Sequence, residues 1–282
     1  MIRICSDSTC DLSEALIRKY NITIIPLHIV LGDKEYRDRI EITQEEIFEW
    51  ADQNKATPKT SAVSFEDASA FVKPMFDAGD EVILFAISSL MSGTENIFRM
   101  VVEDLDAADK VHVIDSANLS TGIGLLVIEA AIMAQEGYSA QEIVDEMERL
   151  KPKVRASFVI DTLTYLARGG RCSSVAALTG GMLKLHPKIV VENGKMDVSK
   201  KYRGQIRTVV MDYVKDLYPD LMKARRQRVF ITHTCSDREM VEEVRSYLES
   251  LNYFDDVFET AAGGVVSSHC GPGTLGVLFI AG

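Results

Sequence analysis

Short apolar runs alternate with amphipathic stretches almost from one end of the chain to the other. Ile2–Cys5 is a brief apolar run with strand character, and Ile22–Leu31 is a longer one rich in β-branched residues. Thr43-Gln-Glu-Glu46 has the form of a capping box and predicts a helix running to about Gln53. Ser64-Phe-Glu-Asp67 opens a second helix, ending at Gly79, and Ser139-Ala-Gln-Glu142 opens another that fades before Pro152. Between them Glu81–Ile87 and Val111–Ile114 read as strands. Helices are expected from Thr94 to about Leu105 and from about Gly122 to Glu136. Strands separated by helices need crossover connections, so the first ~150 residues predict a largely parallel sheet with helices on both faces.

The second half has a different texture. Ala156–Ile160 reads as a strand, Thr162–Ala167 as a short helix closed by Gly169-Gly170, and Ser174–Leu185 as another helix. Asn193-Gly194 stands between two strand-like runs, and this pair accepts the positive φ angles of a tight hairpin turn. Helices at about Gln205–Lys223 and Ser236–Leu251 flank a strand at Val229–Thr232, and Gly276–Ala281 forms a last strand. A hairpin mixed with βαβ units predicts a mixed sheet. The expected fold is therefore α/β in two domains. Residues 1–152 form an N-terminal α/β/α domain on a parallel sheet, and residues 153–282 an α/β domain on a mixed sheet. The helix-breaking Pro152 marks the boundary.

The length of 282 residues suits two domains of ordinary size. With 46% hydrophobic and 26% charged residues the composition is that of a folded globular protein and excludes a disordered chain. A net charge of −11 argues against a general nucleic-acid binder or a protein held on an anionic membrane surface. The apolar stretch Gly122–Ala134 contains Glu129 and is too short for a membrane span, and the N-terminus lacks the apolar run of a signal peptide. Five cysteines without a CxxC pair point to a reduced, cytoplasmic protein with neither a disulfide framework nor a structural zinc site.

Nucleotide chemistry is not supported. Gly271-Pro-Gly273-Thr-Leu-Gly276 matches GxGxxG, but a strand follows it where a dinucleotide site needs a helix, and Pro272 removes an N–H donor. It reads as a turn into the final strand that can help shape an anion site. Gly122-Ile-Gly124 has Val127 at the third glycine position, and no GK[ST] sequence exists. Two hydroxyl-rich loops are of more interest. Ser88-Ser-Leu-Met-Ser-Gly-Thr94 lies at the C-terminal edge of a parallel strand, where open α/β sheets bind ligands. Ser92 or Thr94 caps the next helix, and the remaining hydroxyls exceed what a cap requires; the sequence is not GxSxG. In Thr57-Pro-Lys-Thr-Ser-Ala-Val-Ser64, Ser64 serves as N-cap, while Thr60 and Ser61 have no evident structural task and are equally consistent with a solvated loop.

Arg168 and Arg171 flank a double glycine in Leu166–Ser174. Both fit a clamp for a carboxylate or phosphate; Arg168 fits a helix C-terminal cation equally well, and Arg171, beyond the glycines, is the stronger candidate. Of the histidines 28, 112, 186, 233 and 269, His269 has the most site-like neighbours, and no HxH or HExxH pair supports a metal.

Taken in order, these stretches resemble the DegV family of bacterial fatty-acid-binding proteins. Asp7-Ser-Thr-Cys-Asp-Leu12 is similar to DSTxDL, Thr60-Ser61 with Ser64 to TSxPS, and Ser88-Ser89 with Ser92-Gly93-Thr94 to SSxLSGT. Asp115-Ser116 with Gly122 and Gly124 is similar to DS…GxG, Leu163 with Tyr165–Arg171 to LxYLxxGGR, and His269–Gly276 to HxGPGTLG. Three departures stand out: no proline between Ser61 and Ser64, Leu90-Met91 where Gly-Leu is common, and His186-Pro187 where Lys-Pro is frequent.

The resemblance implies a non-catalytic carrier, with one long-chain fatty acid in an apolar tunnel between the two domains. It implies that Thr60, Ser61, Ser92, Arg171 and His269 hold the carboxylate, with Gly93, Thr94, Gly170 and Gly271 in supporting loops. It also implies a partner, a separate fatty acid kinase that makes acyl phosphate; the docking surface is unassigned, the exposed faces near Arg168 and Arg207 being candidates. No cofactor or metal is expected, the fatty acid being the ligand. Two other readings stay open. One is a small-molecule phosphotransferase or hydrolase using His269 or Ser92, and the other a lipid-sensing regulator.

Overall fold

Most apolar runs of the first half become the strands of one parallel sheet. The structure is a computed structural model describing residues 1–178, 185–234 and 237–282. Its strands are β1 (Ile2–Asp7), β2 (Thr23–Ile25), β3 (His28–Leu31), β4 (Lys34–Arg37), β5 (Lys59–Ser61), β6 (Glu81–Ala86), β7 (Val111–Asp115), β8 (Val154–Val159), β9 (Leu185–Glu192), β10 (Lys195–Arg203), β11 (Arg228–His233), β12 (Asp256–Ala261) and β13 (Leu275–Ile280). The first sheet has the order β2-β1-β6-β7 and is parallel throughout. The second is mixed, in the order β10-β9-β8-β13-β11-β12, with only β11 and β12 parallel. The α/β class with a parallel N-terminal and a mixed C-terminal sheet is thus as expected.

A third sheet, β4-β3-β5, is antiparallel and was not anticipated. The stretch 22–31 is two strands rather than one. Pro26 cannot donate to a ladder, so the chain leaves the parallel sheet after β2 and starts β3 in the small sheet. The Thr57–Ser64 segment, read as a loop, contributes β5 as its edge. Three residues are too few to show an alternating pattern.

The capping boxes at Thr43 and Ser139 are both formed, and Ser64 caps its helix by accepting from Asp67 N. In the second half the long helix expected from Gln205 stops at Asp216, and a short turn, Tyr218–Leu221, follows around Pro219. The helix expected from Ser236 runs over Arg238–Ser250 under an Asp237 cap; Ser236 lies outside the described residues. Among the described residues of the helix expected at Ser174–Leu185, Ser174–Ala176 are helical, in a short helix that begins at Ser173. Residues 179–184 lie outside the described set, and Leu185 already belongs to β9. Strand β12 and the helix Gly264–Cys270 were not read from the sequence.

The helix Thr121–Gln135 is apolar on all sides because it is covered on all sides. It packs on β1 from one direction and on β8 and β13 from the other, so one hydrophobic core runs from Ile4 through Ile128 to Ile280. Its single acid, Glu129, is paired with Arg228 and lies 3.6 Å from Arg225. No helix among the described residues is long and apolar enough to cross a membrane. The β9–β10 hairpin turns at Asn193 and Gly194, whose φ angles of +50° and +77° suit this pair. Its tip is tied to the first half by a buried hydrogen bond from Ser88 Oγ to Gly194 O (2.7 Å).

Candidate functional site

Strand β5 is held by β3 in a register that sets Thr60 opposite Ile29. Ile29, with Leu27, Leu31, Ile47 and Val265, forms a small apolar cluster that seats the helix Gly264–Cys270 beside the antiparallel sheet. That packing brings His269 to Thr60 across 209 residues, with His269 Nε2 and Thr60 Oγ1 2.8 Å apart. Both line a cavity of about 110 Å3, with Ser61, Ser92, Gly93 and Arg171 also on its wall. Five residues expected to act as one group, from four separate stretches of chain, therefore share one space. Its remaining surface is apolar, including Leu27, Ile87, Met91, Leu119, Met196 and Val266.

The ring nitrogens of His269 are not equivalent. Nδ1 is buried and has no hydrogen-bond partner among the described residues. A proton on Nδ1 would bury an unpaired donor, so we assign the proton to Nε2, which then donates to Thr60 Oγ1. The Thr60 hydroxyl is left with its own hydrogen to donate into the cavity. Burial, with help from the Arg171 guanidinium, holds the His269 imidazole down at about 4, so it is neutral near pH 7. Arg171 is exposed at the rim; Nη1 donates to Gly169 O (2.7 Å) and Nε to Met91 O (3.4 Å). Among the described residues no carboxylate pairs with it, so its charge remains available to an anion.

The other expected residues take supporting places. Ser92 Oγ accepts from Thr94 N (3.3 Å) and lies 2.9 Å from Thr94 Oγ1, while Gly93 is the N-cap of the helix Thr94–Asp104. Thr94 is buried behind Ser92, off the cavity wall. Ser61 is exposed, and its hydroxyl donates to Glu35 (3.2 Å). Gly170 ends the helix Thr164–Gly169 in the left-handed conformation. Gly271 follows the His269 helix, and its carbonyl accepts from Thr234 Oγ1 (2.6 Å) in the turn that leads into β13. Arg168 donates to Thr57 (2.9 Å), and Arg207 is paired with Glu239 and Glu243. No group of His, Cys, Asp or Glu able to hold a metal occurs among the described residues.

Sequence reading missed the apolar wall. Met196 belongs to the recognised hairpin, but nothing in its spacing says that it faces a cavity. Leu119, Val266 and Cys270 also line a smaller space of about 20 Å3 that reaches toward Phe158 and Leu278.

Beneath the site lie three buried carboxylates, Asp7, Asp11 and Asp38. Burial pushes Asp11 up to about 7 from an ordinary 3.8, and Asp7 to about 6. A carboxyl raised in this way contributes stability in acid that is lost as pH rises through its folded pKa. Asn at position 11 keeps an acceptor for the Gly263 N–H, and the Ser120 hydroxyl can turn to accept from its amide. Asp11→Asn should therefore be more stable than wild type at about pH 8, by on the order of 2–4 kcal/mol, and melt at a higher temperature. The advantage should shrink toward about pH 4; an equal gap at both pH values in thermal melts would refute the assignment.

The DegV family model, described as one of uncharacterised proteins, matches residues 1–282. A DegV domain-containing protein of Caldanaerobacter subterraneus subsp. tengcongensis is 33% identical over 99% of this chain and 98% of its own length. Among solved structures, a DegV family protein from Thermus thermophilus described for its fatty acid binding is similar with a TM-score of 0.91. It is 28% identical, covering 99% of both chains. A stearic acid-binding protein from Eubacterium ventriosum is similar with a TM-score of 0.86. It is 29% identical, covering 100% of this chain and 98% of its own. Matched in sequence along its whole length and in the arrangement of its sheets, the chain belongs to the DegV family.

Proposed function

We propose that this protein binds one long-chain fatty acid, its carboxylate held by Thr60, Ser61, Ser92 and Arg171, with His269 acting through its hydrogen bond to Thr60. The tail runs inward between the two domains, divided at 152/153. The observation that carries this reading is the convergence of uncharged donors and one unpaired cation on a cavity whose other walls are apolar. A carboxylate taken out of water needs such partners, because an unpaired buried charge is far costlier than a paired one. The tail supplies the drive, at about 0.8 kcal/mol for each buried CH2. The two spaces of about 110 and 20 Å3 are small beside the roughly 150 Å3 cavity that admits benzene, so a long chain has to move its walls. Met91 and Met196, unbranched and adaptable, suit that task.

The same reading makes the protein a carrier that presents its ligand to a separate fatty acid kinase. Ser61, Gly93 and Arg171 are exposed at the cavity mouth, which leaves the carboxylate end within reach of a partner. With Nε2 protonated, His269 donates to Thr60, the reverse of what a general base activating a nucleophile must do.

Native mass spectrometry of the purified protein, followed by lipid extraction, is the direct test. One fatty acid per chain is expected; a ligand-free mass with no uptake on addition of fatty acids sinks the reading. Arg171→Ala should weaken fatty acid binding by about 10-fold or more, the worth of a charge-assisted hydrogen bond, and binding of the matching fatty alcohol much less. Equal losses for both would show that Arg171 acts through folding.

A further inference from the structure

The helix Gly264–Cys270 that carries His269 begins without a cap of its own, since Gly263 has no side chain to offer. Its first N–H groups are met from 252 and 226 residues away. Asp11 Oδ1 accepts from Gly263 N and Asp38 Oδ1 from Gly264 N, both at 2.8 Å. Gln44 Nε2 adds bonds to Ala262 O (2.9 Å) and Ser267 Oγ (2.8 Å). The far oxygens of the two acids are also held. Ser120 Oγ donates to Asp11 Oδ2 (2.6 Å), and Ser8 Oγ donates to Asp38 Oδ2 (2.7 Å) while accepting from Leu27 N (3.1 Å). Neither carboxylate can swing without breaking a second bond.

The fit is close as well as bonded. A Cβ on Gly264 would lie 2.4 Å from Ile29 Cδ1 and 2.9 Å from Asp38 Oδ1, so any side chain there has to displace its neighbours. Ser120, which orients Asp11, holds a φ of +54°, a conformation that a non-glycine residue keeps only when its surroundings insist. Two buried carboxylates near each other are an unfavourable way to cap one short helix; a serine at position 263 would meet the local need. What the acids add is attachment to the first half of the chain, which also provides Thr60.

We propose that Asp11 and Asp38 are positioning residues of the carboxylate site, a two-acid clasp that fixes the start of the Gly264–Cys270 helix and thereby sets His269 against Thr60. In a helix of seven residues a shift at the first turn reaches His269 within about one and a half turns. The functional readout rests on the fatty acid reading above, but the structural readout does not.

The test compares Asp38→Ala and Asp11→Ala with Asp38→Asn and Asp11→Asn. Asparagine keeps the acceptor for the helix N–H, and alanine removes it. The imidazole of His269 is followed by long-range proton–nitrogen NMR of the ligand-free protein, and palmitate binding by calorimetry. The alanine variants should move the His269 ring signals and weaken palmitate binding by about 10-fold or more. The asparagine variants should restore both to within about threefold of wild type, a rescue that general destabilisation would not produce. Unmoved ring signals with wild-type affinity in both alanine variants would overturn the clasp. If wild type itself takes up no palmitate, the fatty acid reading fails, and the ring signals alone decide. Should the alanine variants lose their circular dichroism, Gln44→Ala decides, since it removes a tie to the same helix without emptying a charged position. Displaced His269 signals there support the clasp, and unchanged ones refute it.

Discussion

Replacing Thr60 by valine should weaken fatty acid binding by about 30-fold or more and leave the fold in place. Valine has nearly the same shape and is also β-branched, so it suits strand β5, where Thr60 is only partly buried. Two polar interactions are lost at once. The ligand carboxylate loses a hydroxyl donor, and His269 Nε2–H loses the acceptor 2.8 Å away. An unmet buried donor costs about 1–3 kcal/mol, and a hydrogen bond to a charged group is worth about 1.5–3 kcal/mol. Calorimetry with palmitate and with the corresponding alcohol separates the contributions, because only the carboxylate needs the relay from His269 through Thr60. Affinity for palmitate within about threefold of wild type would show that Thr60 does not face the carboxylate.

The second large effect is expected from a residue that does not line the cavity. A Cβ built on Gly169 would stand 2.5 Å from His269 Nδ1 and 3.3 Å from Cε1, closer than packed atoms approach. Gly169→Ala therefore has to push the ring away from Thr60. Gly169 is the last residue of the helix Thr164–Gly169, where alanine is intrinsically favoured over glycine by up to ~1 kcal/mol. Binding of fatty acid should fall by about 10-fold or more while the thermal midpoint changes little. Gly170→Ala is the contrasting variant. Its φ of +69° strains any side chain, at about 1 kcal/mol, yet no atom of the described residues lies within 4 Å of the added atom. It should lower stability without touching affinity. Wild-type binding by Gly169→Ala would mean that the position of His269 is not critical to the site.

Much of the parallel sheet was legible because its strands are buried on both faces and read as unbroken apolar runs, as in Glu81–Ala86. The capping residues Thr43, Ser64 and Ser139 were equally legible, since a cap and its partners lie within one turn of each other. The small antiparallel sheet was not. Its strands are three or four residues long, and β5 sits in a segment whose composition is that of a loop. The helix Gly264–Cys270 escaped notice for a related reason: it starts at two glycines, and its capping groups lie more than two hundred residues away.

The candidate site divides in the same way. Its hydroxyls, Arg171 and His269 were picked out as residue types in excess of local structural need, and the family resemblance grouped them. Met196, Leu119 and Val266 carried no such mark, because an apolar residue looks alike on a cavity wall and in a solid core. By itself the sequence determined the local elements, the α/β class and the polar residues available for an anion, since these depend on spacing and residue type within a few turns. The tertiary structure alone decided which polar groups meet, which nitrogen of His269 carries its proton, and which acids hold its helix. Those outcomes depend on buried hydrogen bonds between distant segments, and a buried donor must find its acceptor wherever the packed chain has placed it.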